Sequence, residues 1–416
     1  MNEAIQPQGL VRRMLKGMAV LAFWALLGVL ALLASLWLEH RSEVALPKPT
    51  GSFPVGRTLY DWVDDQTLDP LAPAGVKREL LVWVWYPAAQ PSTGKIGAEY
   101  VPDTTRKAVE RDRGPLLNLL TRDLSKVHTH SLRDAKVSPE QRSYPVVIMR
   151  AGASLEVWNY STLAEDLASH GYVVVGIDAP YRAFVVAFPD GRVMRRLPEN
   201  NPELCIGRAG EEQTRCVNRF LTAWTSDIGY VLDRSGQLNT SDPSGKFTGR
   251  LDMTRVGVFG HSFGGAQAAQ FCSLDFRCMA GIDVDGSLHG SVIQSGIPVP
   301  FMFLGSSEGD FSSNAEVRQV EADIRSVYDR LPAKERLRVS IRGANHFTFS
   351  DDGALLRSHA FRWVLRRLGK LGIDGPRQLA VTSYCIRSFF DAYLKDTKAS
   401  QPTISSSLYP EVQVVE

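Results

Sequence analysis

The alternation of apolar and polar positions changes along this chain, and the changes divide it. Residues 17–38 (GMAVLAFWALLGVLALLASLWL) carry no charge, and about 20 such residues in a helix cross the hydrocarbon core of a bilayer. Residues 79–86 (ELLVWVWY) are β-branched and aromatic and stop at Pro87, which predicts a strand. From residue 145 onward, short runs that are apolar throughout alternate with amphipathic ones. Strands are predicted at 145–149 (PVVIM), 172–177, 256–259 (VGVF), 279–284, 299–304 and 337–341, and helices at 158–169, 217–232 and 264–272. Continuous apolar strands separated by helices imply a mostly parallel sheet covered on both faces, so the fold class is α/β in one large domain. Residues 181–213 read as a long polar excursion. The last amphipathic helix, 377–394, is expected on the outside of the sheet.

The apolar run sits between Arg12, Arg13 and Lys16 on one side and Glu39, His40, Arg41 and Glu43 on the other. Excess positive charge before it orients the segment with residues 1–16 in the cytoplasm. The expected organisation is a transmembrane anchor at 17–38, a linker at 39–56, an extracytoplasmic catalytic domain at 57–398 (periplasmic in a bacterium) and a loose Ser/Pro-rich tail at 399–416. A cleaved signal peptide competes with the anchor. Its apolar core would be roughly 7–15 residues and would end at a small-x-small site, which Ser35-Leu36-Trp37-Leu38 matches poorly.

Composition narrows the function classes. A chain of 416 residues that is 44% hydrophobic buries a large core. A net charge of +2 with no long basic run leaves no electrostatic footprint for nucleic acid. Of the five cysteines, Cys205 and Cys216 flank the polar excursion and Cys272 and Cys278 are close in sequence. Both pairs can bridge in an oxidising compartment or stay as buried thiols. Cys385 falls on an amphipathic helix as core, and no Cys/His spacing suggests zinc.

The chemistry concentrates at Gly260-His261-Ser262-Phe263-Gly264-Gly265, between the strand VGVF and the helix start AQAAQ. G-x-S-x-G alone is a weak signal; flanked by a strand and a small-residue helix it predicts a nucleophile elbow with Ser262 at its tip. A serine needs a base. Of the eight histidines, His346 lies in the loop Gly343-Ala344-Asn345-His346-Phe347 after the last core strand, where the chain order Ser–acid–His requires it. The acid must orient that imidazole, and Asp285 and Asp310 both follow strands between Ser262 and His346. Asp283 lies deeper on the strand of Asp285 and is expected to have a structural partner. The oxyanion needs backbone N–H donors. Phe263, after the nucleophile, supplies one, and Ala153, in the loop Arg150-Ala151-Gly152-Ala153-Ser154, is expected to supply the second.

The ordered set FPVGRTLYDWVDD, ELLVWVWYP, DLASHGYVVVGIDAP, GHSFGG, MAGIDVDG, GANHFTFSDD and RQLAVTSYCIRSFFDAYL resembles the plasma-type (isoform II) platelet-activating factor acetylhydrolase family of the α/β-hydrolase superfamily, over roughly residues 50–395. The resemblance implies Ser262 as nucleophile, Asp285 rather than Asp310 as acid and His346 as base, with no metal or other cofactor. It also implies short or oxidised acyl esters of phospholipids, or other short esters, as substrates. The sequence departs from the family at Ala151-Gly152, where the family carries His-Gly, and in the excursion from Arg182 to Arg215, where a lid or wall for the acyl group is expected. A general carboxylesterase or polyester hydrolase is the alternative. A peptidase on the same fold and a membrane-anchored, non-catalytic binding protein rank lower, since every triad member has a candidate.

Overall fold

Strand alternation decides which side chains face which layer. In β6 (Tyr144–Arg150) Val147 and Met149 enter one apolar cluster, while Val146 and Ile148 enter the other. Successive side chains point to opposite faces of a sheet, so a run such as PVVIM is stable only where both faces are covered. The computed structural model describes residues 7–90, 97–153, 155–205, 207–208, 210–306, 315–356, 362–363, 366–368, 372–395, 404 and 407–415.

The remaining strands are β1 (Val44–Ala45), β2 (Val55–Leu68), β3 (Lys77–Pro87), β4 (Gly97–Glu99), β5 (Val127–Arg133), β7 (Val173–Asp178), β8 (Val185–Ala187), β9 (Val193–Arg195), β10 (Leu251–His261), β11 (Cys278–Val284), β12 (Phe301–Ser306), β13 (Arg336–Ile341) and β14 (Val412–Val414). Among the described residues, twelve strands form one sheet, ordered β1-β5-β2-β3-β7-β6-β10-β11-β12-β13-β14 with β4 on β5; β8 and β9 make a separate hairpin. The pairings β7-β6-β10-β11-β12-β13 are all parallel. The helices are α1 (Pro7–His40), α2 (Asp103–Leu120), α3 (Ser161–Ser169), α4 (Gly210–Thr240), α5 (Phe263–Leu274), α6 (Val292–Ser295), α7 (Ala315–Tyr328), α8 (Asp352–Leu355) and α9 (Gly375–Phe390). Leucines and aromatics of α3 and α9 cover one face, and those of α4, α5 and α7 the other. This is the expected mostly parallel sheet with helices on both sides.

α1 is long and apolar enough to cross a membrane; within its segment Val11–His40 the most apolar 18-residue stretch has a mean hydropathy of 2.5, and none of that stretch is buried. A signal sequence shares that profile.

Three segments differ from expectation. The region 39–56 is not a bare linker: β1 pairs with β5, and β2 begins at Val55. The polar excursion hides an apolar hairpin, with Val185, Val186 and Phe188 buried and the Arg182 guanidinium enclosed between Asp227 at 2.7 Å and Asp69 at 2.6 Å. Arg182 made its start look solvated, yet that charge is buried because Asp69 and Asp227, from outside the excursion, meet it in the interior. Within the supposed loose tail, Val412–Val414 adds an antiparallel edge strand to β13, and Glu411 pairs with Arg377 at 2.8 Å. Disulfides join Cys205 to Cys216 and Cys272 to Cys278, and Cys385 is buried as a free thiol.

Candidate active site

β10 ends at His261 and α5 begins at Phe263, which leaves Ser262 alone at the corner with φ 57° and ψ −123°. A non-glycine residue in that region is strained, and the surrounding contacts hold it there. The Ser262 N–H donates to the Val284 carbonyl at 2.8 Å. The small residues after it are needed for contact: a Cβ on Gly264 would lie 2.5 Å from the Arg150 carbonyl oxygen, and one on Gly265 would lie 1.7 Å from Asp283 Oδ1.

β11 delivers Asp285 beside this corner and β13 delivers the loop of His346. His346 Nε2 is 3.1 Å from Ser262 Oγ, and its Nδ1 is 2.8 Å from Asp285 Oδ2. Asp285 Oδ1 accepts from the Ser306 N–H at 2.7 Å and from its hydroxyl at 2.9 Å. Burial pushes the Asp285 carboxyl up, but the hydrogen bonds from His346 and Ser306 outweigh it and hold the group below the usual carboxylate range. The His346 loop is pinned from α9: Gln378 Oε1 accepts from the Asn345 N–H at 3.1 Å and its Nε2 donates to the Asn345 carbonyl at 3.0 Å. Asp310 lies outside the described residues. Asp283 accepts from the Gly286 N–H at 2.9 Å, and burial followed by the nearby Asp285 charge pushes its carboxyl up to about 8.

The loop after β6, where the second oxyanion donor is expected, packs beside Ser262. A Cβ on Gly152 would stand 3.5 Å from Ser262 Cβ, so this loop lies directly against Ser262. Phe263 opens α5, where an N–H has no intrahelical acceptor. At Ala151-Gly152, where the sequence departs from the family pattern, Tyr160 supports the loop. The Gly152 N–H donates to Tyr160 Oη at 3.2 Å, which leaves the hydroxyl proton for His261 Nδ1 at 2.7 Å. Burial, then the adjacent His346, pushes His261 down to about 3, so it is neutral and can accept. Beside Ala153 and Phe263 stands an apolar wall of Leu71, Phe220, Ala223 and Trp224, stapled by the Cys205–Cys216 disulfide. The Trp224 and Phe263 rings meet edge to face at 5.1 Å. The recess between this wall and the oxyanion loop holds about 20 Å³.

Sequence reasoning did not single out Tyr160, Ser306 or Gln378. Each acts through a partner distant in sequence, and none belongs to a local motif.

A serine, an imidazole and a carboxylate in hydrogen-bonded series, beside a tight loop of backbone N–H groups, suit acyl transfer. Residues 38–372 match the family model described as platelet-activating factor acetylhydrolase, isoform II. The chain belongs to that family. As a platelet-activating factor acetylhydrolase family member it is a carboxylic ester hydrolase. Among its relatives is a probable 1-alkyl-2-acetylglycerophosphocholine esterase of Arthroderma benhamiae, 25% identical over 89% of this chain and 94% of that protein. The platelet-activating factor acetylhydrolase of Cavia porcellus is 26% identical over 50% of this chain and 48% of its own length. Among solved structures, a ferulic acid esterase from Streptomyces cinnamoneus is similar, with a TM-score of 0.69 and 27% identity, over 90% of this chain and all of that one.

Proposed function

We propose that Ser262, His346 and Asp285 form the catalytic triad of an esterase that cleaves short-acyl esters of phospholipids at a membrane surface. The observation that carries this is the contact series Ser262 Oγ–His346 Nε2 and His346 Nδ1–Asp285 Oδ2, at 3.1 and 2.8 Å. Asp285 accepts a hydrogen bond from Nδ1–H and so fixes the tautomer in which Nε2 is the base. His346 takes the Ser262 proton as Oγ attacks the ester carbonyl. The Phe263 and Ala153 N–H groups receive the oxyanion. His346 then protonates the leaving alcohol, and water attacks the acyl-serine by the same route in reverse.

A short acyl group is favoured by the apolar wall of Phe220 and Trp224, which packs against Ala153 and Phe263 beside Ser262. The Arthroderma benhamiae relative, an esterase of 1-alkyl-2-acetylglycerophosphocholine by name, supports a phospholipid carrier. The charge pattern around α1 supports an uncleaved anchor with the catalytic domain outside the cytoplasm.

The test is hydrolysis by the full-length protein in detergent micelles, on p-nitrophenyl acetate through octanoate and on a 2-acetyl phospholipid, beside Ser262→Ala. Phospholipid turnover that vanishes in the variant and falls steeply with acyl length is expected. Ser262-dependent turnover of simple esters alone would favour a general carboxylesterase, a reading to which the ferulic acid esterase neighbour gives specific support.

A further inference from the structure

An apolar space also lies away from Ser262, at the root of α1. α1 and α2 are joined there by hydrogen bonds: His40 Nδ1 to the Thr121 carbonyl at 2.8 Å, the Asp123 N–H to the His40 carbonyl at 2.9 Å, and Arg122 to the Glu39 carbonyl at 3.0 Å. Behind this seam is a crevice of about 400 Å³, within the size range of ligand pockets. Its apolar wall is Leu36, Leu120, Leu124, Trp158, Leu355 and Leu356. Its polar side pairs two guanidiniums, Arg113 and Arg122, with two carboxyls, Glu39 and Asp352.

Two features indicate an occupant. The first is height. The uncharged run ends at Leu38, so Leu36 and Glu39 straddle the boundary between hydrocarbon and headgroups if α1 spans a bilayer. Leu116, Leu117 and Leu120 of the adjoining α2 are also exposed, as side chains entering an interface would be. The second is charge. Guanidiniums suit a phosphate and carboxylates suit a quaternary ammonium, and a zwitterionic phospholipid headgroup carries both. The floor joins the catalytic machinery: Trp158 and Asn159 precede Tyr160, which holds Gly152, and Asp352 opens α8 just after the His346 segment, tied back by the Asp351 N–H to the Asn159 carbonyl at 2.6 Å.

We propose that this crevice holds the long hydrocarbon chain of a zwitterionic bilayer phospholipid, so that the enzyme takes its substrate laterally from the membrane around its own anchor. The proposal rests on the phospholipid esterase reading above, and two measurements separate them. The full-length Ser262→Ala protein in phosphatidylcholine nanodiscs is irradiated with a phosphatidylcholine carrying a diazirine in its long chain. Labelled peptides are then mapped. Label concentrated on Leu120, Leu124, Leu355 and Leu356 is expected; label confined to α1 upstream of Leu36 overturns the crevice, whatever the wild type hydrolyses. Leu120→Trp and Leu356→Trp are then assayed with Ser262 intact. Turnover of vesicle-embedded 2-acetyl phospholipid is expected to fall about tenfold or more, with p-nitrophenyl acetate within about twofold of wild type as evidence of an intact fold and triad. Unchanged vesicle turnover in both variants overturns lateral delivery. A wild type inactive on every phospholipid but active on p-nitrophenyl acetate overturns the phospholipid reading, and the labelling result then stands by itself for or against the crevice.

Discussion

Replacing Tyr160 with phenylalanine deletes one oxygen from the junction between the oxyanion loop and the nucleophile strand. That oxygen accepts from Gly152 at 3.2 Å and faces His261 Nδ1 at 2.7 Å, and the ring is 1% exposed. Water does not reach the site, so the Gly152 N–H and His261 Nδ1 are both left without this partner. Each buried polar group stranded in this way costs about 1–3 kcal/mol, so for the two groups we expect a stability loss of about 2–6 kcal/mol. The kinetic effect is separate. Removing an oxyanion donor outright costs about 10²–10³ in kcat, and Tyr160→Phe loosens the loop without removing the donor, so a fall of about 10–100-fold is expected. The donor acts on charge that develops only in the transition state, so KM changes little. The assay is kcat and KM on p-nitrophenyl acetate at a temperature where the variant is fully folded, with the affinity for a boronic-acid transition-state analogue measured in parallel. The analogue should weaken by the same factor as kcat. A lowered Tm with kcat and analogue affinity within twofold of wild type would refute the positioning role and leave Tyr160 a purely structural residue.

Asp285→Asn should lower kcat by about 10³–10⁴-fold by presenting the wrong partner to Nδ1, with a near-wild-type far-ultraviolet spectrum; a loss under tenfold would point to another acid. Trp224→Ala opens the recess beside Ala153, and the octanoate-to-acetate ratio of kcat/KM should rise about tenfold or more; an unchanged ratio would place the acyl chain elsewhere. The Asp283 carboxyl, at about 8, lies above its unfolded value of about 4. The folded chain therefore binds the extra proton between those values, and stability falls as pH rises across that window. Asp283→Asn should match wild type in Tm near pH 5 and exceed it near pH 9; a constant difference would show that this carboxyl does not titrate as described. Replacing Cys205 and Cys216 with serine, which opens a cross-link spanning 11 residues, should cost about 2–3 kcal/mol in denaturant unfolding.

Much of this was legible in the sequence because it is local. PVVIM, VGVF and MAGIDV are continuous apolar runs that only a two-faced sheet can bury, and GHSFGG states its own corner. His346 could be chosen among eight histidines by chain order. Between Asp285 and Asp310 the residues were silent, since both follow strands, and only the family resemblance separated them. What the sequence hid is non-local. Tyr160 meets His261 across 101 residues and Gln378 meets Asn345 across 33, and nothing about an isolated tyrosine or glutamine announces such a partner. The excursion misled for a related reason: Arg182, Asp69 and Asp227 look solvated one by one and are buried only as a set.

The edge strand β14 bears on how the protein can be handled. It pairs Val414, Gln413 and Val412 with Val339, Ser340 and Ile341 of β13, so the last core strand does not end the sheet. A chain trimmed before residue 411 would leave that row of amide and carbonyl groups open, next to the strand whose following loop carries His346. Open edges recruit strands from other molecules. Tags and cleavage sites added there should therefore follow a spacer that leaves β14 in register, since a shortened protein would associate with itself before any loss of chemistry could be measured.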